Sequence, residues 1–394
     1  MSYKIAVVVP GVPSASVGAS SVVFYWYIKG LIRAGYKILC LIINKSEVEP
    51  EGLNRLYESL GCDDSFRLEV VYCANPIVHS VLLGPRKVNQ DLAEKVAQKV
   101  DKFSPEAIIC FDLIAAWSTT LCKVKKKFAW LGDLNFETYW HHIFYSIERR
   151  DYRNALENFI YFHPWKKCYV EALSDFSKII VCANSSVEQM RLLGLDSEYL
   201  PYPWPSDDQL PRALGALPTI AFFGSLAGLG SLSAVRMLLN EIHPKLVGKY
   251  GRNGFRIKIF GYGKFPRKAQ EIVEKNPEFE TLGYVSDIRP ILAQCHAMLA
   301  PIEVPVGNRT RIITALSYEL PVIAHKNTSL GNPDLISGEN CLLASTSDEI
   351  ANYFFEVYDN KNLADRLAEK GKELYIQKNH PEAAARLFID ALFG

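Results

Sequence analysis

Three apolar runs between residues 219 and 283, each stopping at glycine, constrain this chain more than anything else in it. Thr219–Phe223 stops at Gly224-Ser225-Leu226, residues 255–260 at Gly261-Tyr262-Gly263-Lys264, and Thr281-Leu282 at Gly283-Tyr284-Val285-Ser286-Asp287. A fourth glycine, Gly307, leads Asn308-Arg309-Thr310-Arg311 into an apolar-periodic stretch, and a short apolar run then begins at Pro321. Continuous apolar runs of this length, alternating with helix-period segments such as 233–242, predict strands of a parallel sheet covered on both faces. In such sheets ligands bind beyond the carboxyl ends of the strands, where small residues let the backbone approach them. The fold class expected is therefore α/β.

The Gly307 turn is the most informative of these segments. A helix N-terminus offers free N–H groups and the positive end of its dipole, and Arg309 and Arg311, two residues apart, can bracket a diphosphate. An isolated Arg-x-Arg is more often two surface charges, but the glycine-ended strands around this one favour an anion site. Lys264 either reaches a phosphate or lies solvated at the surface.

The N-terminal half alternates in the same way. Strands are expected at 5–9, 37–43, 67–72, 107–111, 128–131 and 178–182, and a helix over 22–34 with a serine cap. The loop between Pro10 and Ser21 is rich in glycine and serine but lacks the Gly-x-Gly-x-x-Gly order of a dinucleotide site, which argues against a dehydrogenase. The proline-rich stretch from Leu200 to Pro218 reads as a linker. The expected domains are residues 1–205, residues 206–375 and a terminal helix over 376–394 that packs back on the first domain.

With 394 residues, 49% hydrophobic and 22% charged, the chain can build two domains of ordinary size. A net charge of +1 gives no global reason to expect a nucleic-acid partner. Nine cysteines, an odd number with no Cys-x-x-Cys pair, read as core residues of a reducing compartment. No apolar run approaches twenty residues, so a cytoplasmic location is expected.

In the first half, Gly132-Asp133-Leu134-Asn135-Phe136-Glu137 follows a short strand and so places carboxylates at its end; Asp133 is the candidate catalytic one, able to take a proton from an acceptor hydroxyl. The alternative is that it caps the next helix. His141 and His142 sit among Tyr139, Trp140, Phe144 and Tyr145 without a third ligand at zinc spacing, so no protein-bound metal is expected. Residues 139–169 mix aromatics with Arg149, Arg150, Lys166 and Lys167. They read either as helices covering the sheet or as a contact for a lipid-linked acceptor or a membrane surface.

The C-terminal segments, namely 222–226, 283–290, 307–324 and 338–343, resemble the GT-B glycosyltransferases of the "glycosyl transferases group 1" set. The likeness covers most of 218–375 and is looser in the first half. It implies two Rossmann-like doubly wound domains facing a cleft, and transfer of a hexosyl or deoxyhexosyl unit with retention. The donor would be a nucleotide-diphosphate sugar (UDP, GDP or dTDP) and the acceptor a glycan, a lipid-linked or a small molecule, as in polysaccharide biosynthesis.

By the same resemblance Gly224 and Ser225 lie near the donor phosphates, Arg309 and Arg311 hold the diphosphate and stabilise the leaving group, and Tyr284-Val285 faces the nucleobase. Gly261 and Asn308 belong to the same donor site. Many relatives carry two glutamates eight positions apart, where this chain has Val306 and Thr314. Thr314 retains one hydroxyl for the ribose. A deoxyribose donor, recruitment of Glu303, and weakened activity remain open. A non-catalytic scaffold on the same frame, an epimerase and a phosphorylase are the rival readings.

Overall fold

The computed structural model describes residues 3–61, 65–80, 84–226 and 228–394. The chain divides into two compact units, one comprising Met1–Pro205 with Pro381–Gly394, the other Ser206–His380.

The first unit carries β1 (Lys4–Pro10), β2 (Lys37–Asn44), β3 (Phe66–Tyr72), β4 (Ile77–Ser80), β5 (Gly84–Val88), β6 (Ala107–Phe111), β7 (Lys126–Leu131), β8 (Lys178–Val181) and β9 (Glu198–Tyr199). Seven of them form a sheet in the order β3-β2-β1-β6-β7-β8-β9, with parallel pairing throughout. Helices cover both faces, which is why residues 5–9 of β1 are all fully buried and the strand is an unbroken apolar run. β4 and β5 make a separate antiparallel hairpin that the sequence pattern did not reveal, since neither strand alternates cleanly.

The helix after β1 runs over Ala19–Arg33, three residues earlier than expected. Its cap is Gly18 at φ +81°, not a serine, and no side chain caps it. Helices Asn135–Glu148 and Tyr152–Leu173 lie side by side over residues 139–169. The terminal helix Pro381–Phe393 packs on helix Ala19–Arg33, with the Tyr27 and Phe388 rings 4.2 Å apart. Residues 375–379 belong to the second unit, and the division falls after His380.

The second unit carries β10 (Thr219–Phe223), β11 (Arg256–Phe260), β12 (Phe279–Gly283), β13 (Ala297–Ala300), β14 (Val322–His325) and β15 (Leu342–Ala344). They form one parallel sheet in the order β12-β11-β10-β13-β14-β15. The order reverses between β10 and β13, which is the switch point of a Rossmann-like sheet. A ligand crevice belongs just beyond the carboxyl ends of those two strands.

Candidate functional site

The strand ends of the second unit are tied together by backbone. Gly224 donates its N–H to Phe260 O (3.1 Å), Leu226 to Tyr262 O (2.8 Å) and Gly261 to Gly283 O (2.8 Å). Gly224 sits at φ +114° and Gly261 at +136°, backbone that side chains rarely allow. A Cβ on Gly261 would lie 2.0 Å from Gly224 O, so the turns after β10 and β11 meet at a distance only glycine permits.

Arg311 comes into this corner from the first turn of helix Thr310–Ser317. Its Nη2 donates to Ser225 O (3.1 Å) and to Ser231 Oγ (2.7 Å), both uncharged acceptors. Its Nη1 is buried with no hydrogen-bond partner, and Arg311 makes no ion pair among the described residues. A Cβ on Gly224 would meet the guanidinium at 3.1 Å. Burial, with Arg309 nearby, lowers the Arg311 pKa to about 10, so the group remains a cation at neutral pH. A half-buried positive charge held by neutral oxygens, with its buried Nη1 unsatisfied, is arranged for an anion.

Arg309 stands at the N-cap of the same helix, not within its first turn, and donates from Nη2 to Val304 O (2.7 Å). Its guanidinium lies against Gly230, where a Cβ would be 3.1 Å from Nη1. Asn308 follows Gly307, which takes φ +73° and whose carbonyl oxygen is approached so closely by Gly331 that a Cβ there would be 2.2 Å away.

Tyr284 is exposed at the end of β12, its ring 4.7 Å from that of Tyr262, with a hydrogen bond between the two hydroxyls. Val285 beside it is half-buried. Val306 is buried, and the Thr314 hydroxyl donates to Thr310 O (3.0 Å) along its own helix. The Glu303 carboxylate pairs with Arg236 at 3.0 Å.

In the first unit, Asp133 follows β7 and is not the cap of helix Asn135–Glu148, a place taken by Leu134. The Cys182 thiol lies 3.9 Å from Asp133 Oδ1. Two further carboxylates share this region: Asp112, which the sequence did not point to, and Glu137, the last residue of the motif that holds Asp133. Asp112 follows β6 in a left-handed conformation (φ +68°) and accepts the Gly132 N–H at 3.1 Å. Burial raises its pKa to about 6 against the lowering effect of that hydrogen bond, and Asp133 raises it further.

Glu137 is buried, accepts from Ser186 Oγ at 2.8 Å, and is pushed by burial to about 7. It lines a cavity of about 540 Å³ with Phe136, Trp140, His141, Phe162, Lys166 and Gln189. Strained backbone at Asp112 is invisible to periodicity. The one sequence signal for Glu137 is its spacing of four from Asp133, at the start of a helix.

Among the described residues no group of three or more His, Cys, Asp or Glu could hold a metal ion. The eight described cysteines are buried and form no disulfide among themselves. No described helix is long and apolar enough to cross a membrane.

The second unit is thus a Rossmann-like domain with a cationic corner at its switch point. Residues 217–360, which hold that corner, match the family described as "Glycosyl transferases group 1". Solved structures share the fold of the chain at low identity. TarM covers 100% of this chain and 99% of its own, with a TM-score of 0.69 and 13% identity. Sucrose-phosphate synthase from Thermosynechococcus elongatus has a TM-score of 0.64 at 13% identity, covering 99% of this chain and 98% of its own. HepE from Anabaena, solved with UDP and glucose, has a TM-score of 0.64 at 13% identity and covers 98% of each chain. No curated protein sequence matches. The chain has the GT-B fold of the glycosyltransferases, and its second unit carries their group 1 segment.

Proposed function

We propose that the protein is a glycosyltransferase that moves a sugar from a nucleotide-diphosphate donor held by the second unit to an acceptor hydroxyl held by the first. The half-buried Arg311 carries this reading. Its position at the carboxyl end of β10, with neutral partners and a free Nη1, suits a diphosphate oxygen. UDP is the first nucleotide to test, because HepE and S. aureus TarM were both solved with it. A dTDP-sugar is the second, because Thr314 offers the ribose one hydroxyl instead of a carboxylate.

In the reaction the bond between the anomeric carbon and the diphosphate oxygen breaks, and its electron pair passes to the diphosphate. Arg309, Arg311 and the N–H groups around Gly224 and Ser225 stabilise that charge as it develops. The acceptor oxygen forms the new bond to the anomeric carbon, and its proton passes to a carboxylate of the first unit, for which Asp133 is the candidate. Retention of configuration follows the resemblance to the group 1 enzymes. The acceptor is a glycan, a lipid-linked saccharide or a small molecule, and the aromatic-walled cavity beside Glu137 is of a size to hold part of it. The buried cysteines, none of the eight described ones in a disulfide, support a reducing, cytoplasmic setting.

The test is thermal stabilisation of the full chain by UDP, GDP, ADP and dTDP, repeated with Arg311→Ala and Arg309→Ala. One nucleoside diphosphate should raise Tm selectively. Arg311→Ala should weaken its binding by at least about tenfold, since a charged hydrogen bond is worth about 1.5–3 kcal/mol. The absence of any shift with wild-type protein would favour a non-catalytic scaffold on the same frame.

A further inference from the structure

Among the described residues, 22 large hydrophobic side chains are exposed, and eight of them lie between residues 140 and 170. Trp140 and Phe144 are 42% and 49% exposed, one turn apart on helix Asn135–Glu148, with Ile147 the next residue on that face. Leu156 and Phe159, 60% and 50% exposed, continue the face on helix Tyr152–Leu173.

Ring contacts join the two helices into one surface. Phe144 meets Trp140 at 4.8 Å, Trp140 meets Phe162 at 5.2 Å, and Phe162 meets His163, which in turn meets Phe159 at 5.7 Å. A soluble face has no reason to concentrate aromatic groups in this way, and contiguous apolar patches of this kind mark contact sites.

We propose that this face seats on an anionic lipid bilayer. The charge around it selects that occupant. Arg153 and Lys167 are paired with Glu157 and Glu171 on their own helix, whereas Arg149, Arg150 and Lys166 make no ion pair among the described residues and leave positive charge at the border of the face. Arg149, Arg150 and Arg153 lie at one end of the surface and Lys166 and Lys167 towards the other. Lys166 Nζ stands over the Phe162 ring, 4.4 Å from its centre, a cation–π contact that holds the ammonium beside the aromatic surface. Helices with aromatic and leucine side chains on one face and Lys or Arg at its border lie in the interfacial plane of a membrane. Trp140 and Phe162 are also walls of the cavity beside Glu137, so the lipid-facing surface runs into it.

The proposal stands on this surface alone and holds whatever nucleotide the second unit binds. It is tested by sedimenting the full-length protein with vesicles of phosphatidylcholine, with and without phosphatidylglycerol, at low and high salt. The double variant Phe144→Ser, Phe159→Ser is run in parallel, with its unfolding curve checked against wild type. Wild type should sediment with the anionic vesicles, and the double variant should partition at least about tenfold less, since two half-buried rings are withdrawn. Failure to bind anionic vesicles, equal binding to neutral ones, or unchanged binding by the variant would overturn the idea. So would a dimer, seen by light scattering, that the variant dissolves, because the face would then belong to a second copy.

Discussion

At the scale of single residues, the charges that matter are held in unusual protonation environments by burial. Glu137 shows how this couples to stability. Its carboxyl titrates near 7 in the folded chain and in the ordinary glutamate range when unfolded. Between those values the native state binds the extra proton, so its contribution to stability falls as pH rises through that window, and the full penalty applies above it. Glu137→Gln retains a side-chain oxygen for Ser186 and never ionises. The variant should therefore be more stable than wild type at pH 8, by roughly 1–3 kcal/mol, with the difference vanishing near pH 4. All six tryptophans fall within residues 1–205, so urea unfolding followed by tryptophan fluorescence reads the first unit selectively. A difference that grows on acidification would refute the assignment.

The Arg-x-Arg of the second unit was legible because it stands beside glycine-ended strands. What each arginine does there was not, because the roles depend on which backbone oxygens the folded loops bring near. Arg309 turns to Val304 O, whereas Arg311 reaches Ser225, 86 positions away in sequence.

At the scale of elements, local chemistry sets boundaries where it is strong. Helix Ser347–Asp359 begins with a complete capping box, in which Thr346 Oγ1 accepts the Glu349 N–H and the Glu349 side chain accepts the Thr346 N–H. Thr346→Ala should cost about 1 kcal/mol of local stability. The loss should appear as faster amide exchange across the first turns of that helix, while helices of the first unit exchange as before. An unchanged exchange rate would mean that sheet packing, rather than the cap, holds the helix start.

Strands buried on both faces were readable as apolar runs. The hairpin of β4 and β5 was not, because its register rests on packing against helix Tyr152–Leu173. Gly84, at φ +71°, lies so close to Tyr161 that a Cβ would sit 2.9 Å from its ring. The start of helix Ala19–Arg33 was misplaced for a related reason. A left-handed Gly18 opens that helix without a side-chain cap, so the serines behind it are not its signal.

At the scale of the whole molecule, the first unit is discontinuous in sequence and needs the last helix of the chain. Phe388 is buried against the Tyr27 and Phe111 rings, a Cβ on Gly30 would lie 2.4 Å from Ala385 Cβ, and the Lys178 ammonium donates to Ala391 O at 2.7 Å. Phe388→Ala should destabilise the first unit by about 3–5 kcal/mol, lowering its tryptophan-detected midpoint in urea, while the nucleotide binding proposed for the second unit persists. Loss of both together would mean that the units unfold as one.

The sequence by itself determined the alternation of parallel strands and helices, the glycine-ended strands and the arginine pair, because those rest on local hydrophobic period and on residues no other type can replace. Only the tertiary structure decided which groups meet. It placed Arg311 among neutral oxygens, Asp112 beside Asp133 and Glu137 against Ser186. Burial and proximity between distant segments set these charges and contacts, and neither is a property of any one stretch of chain.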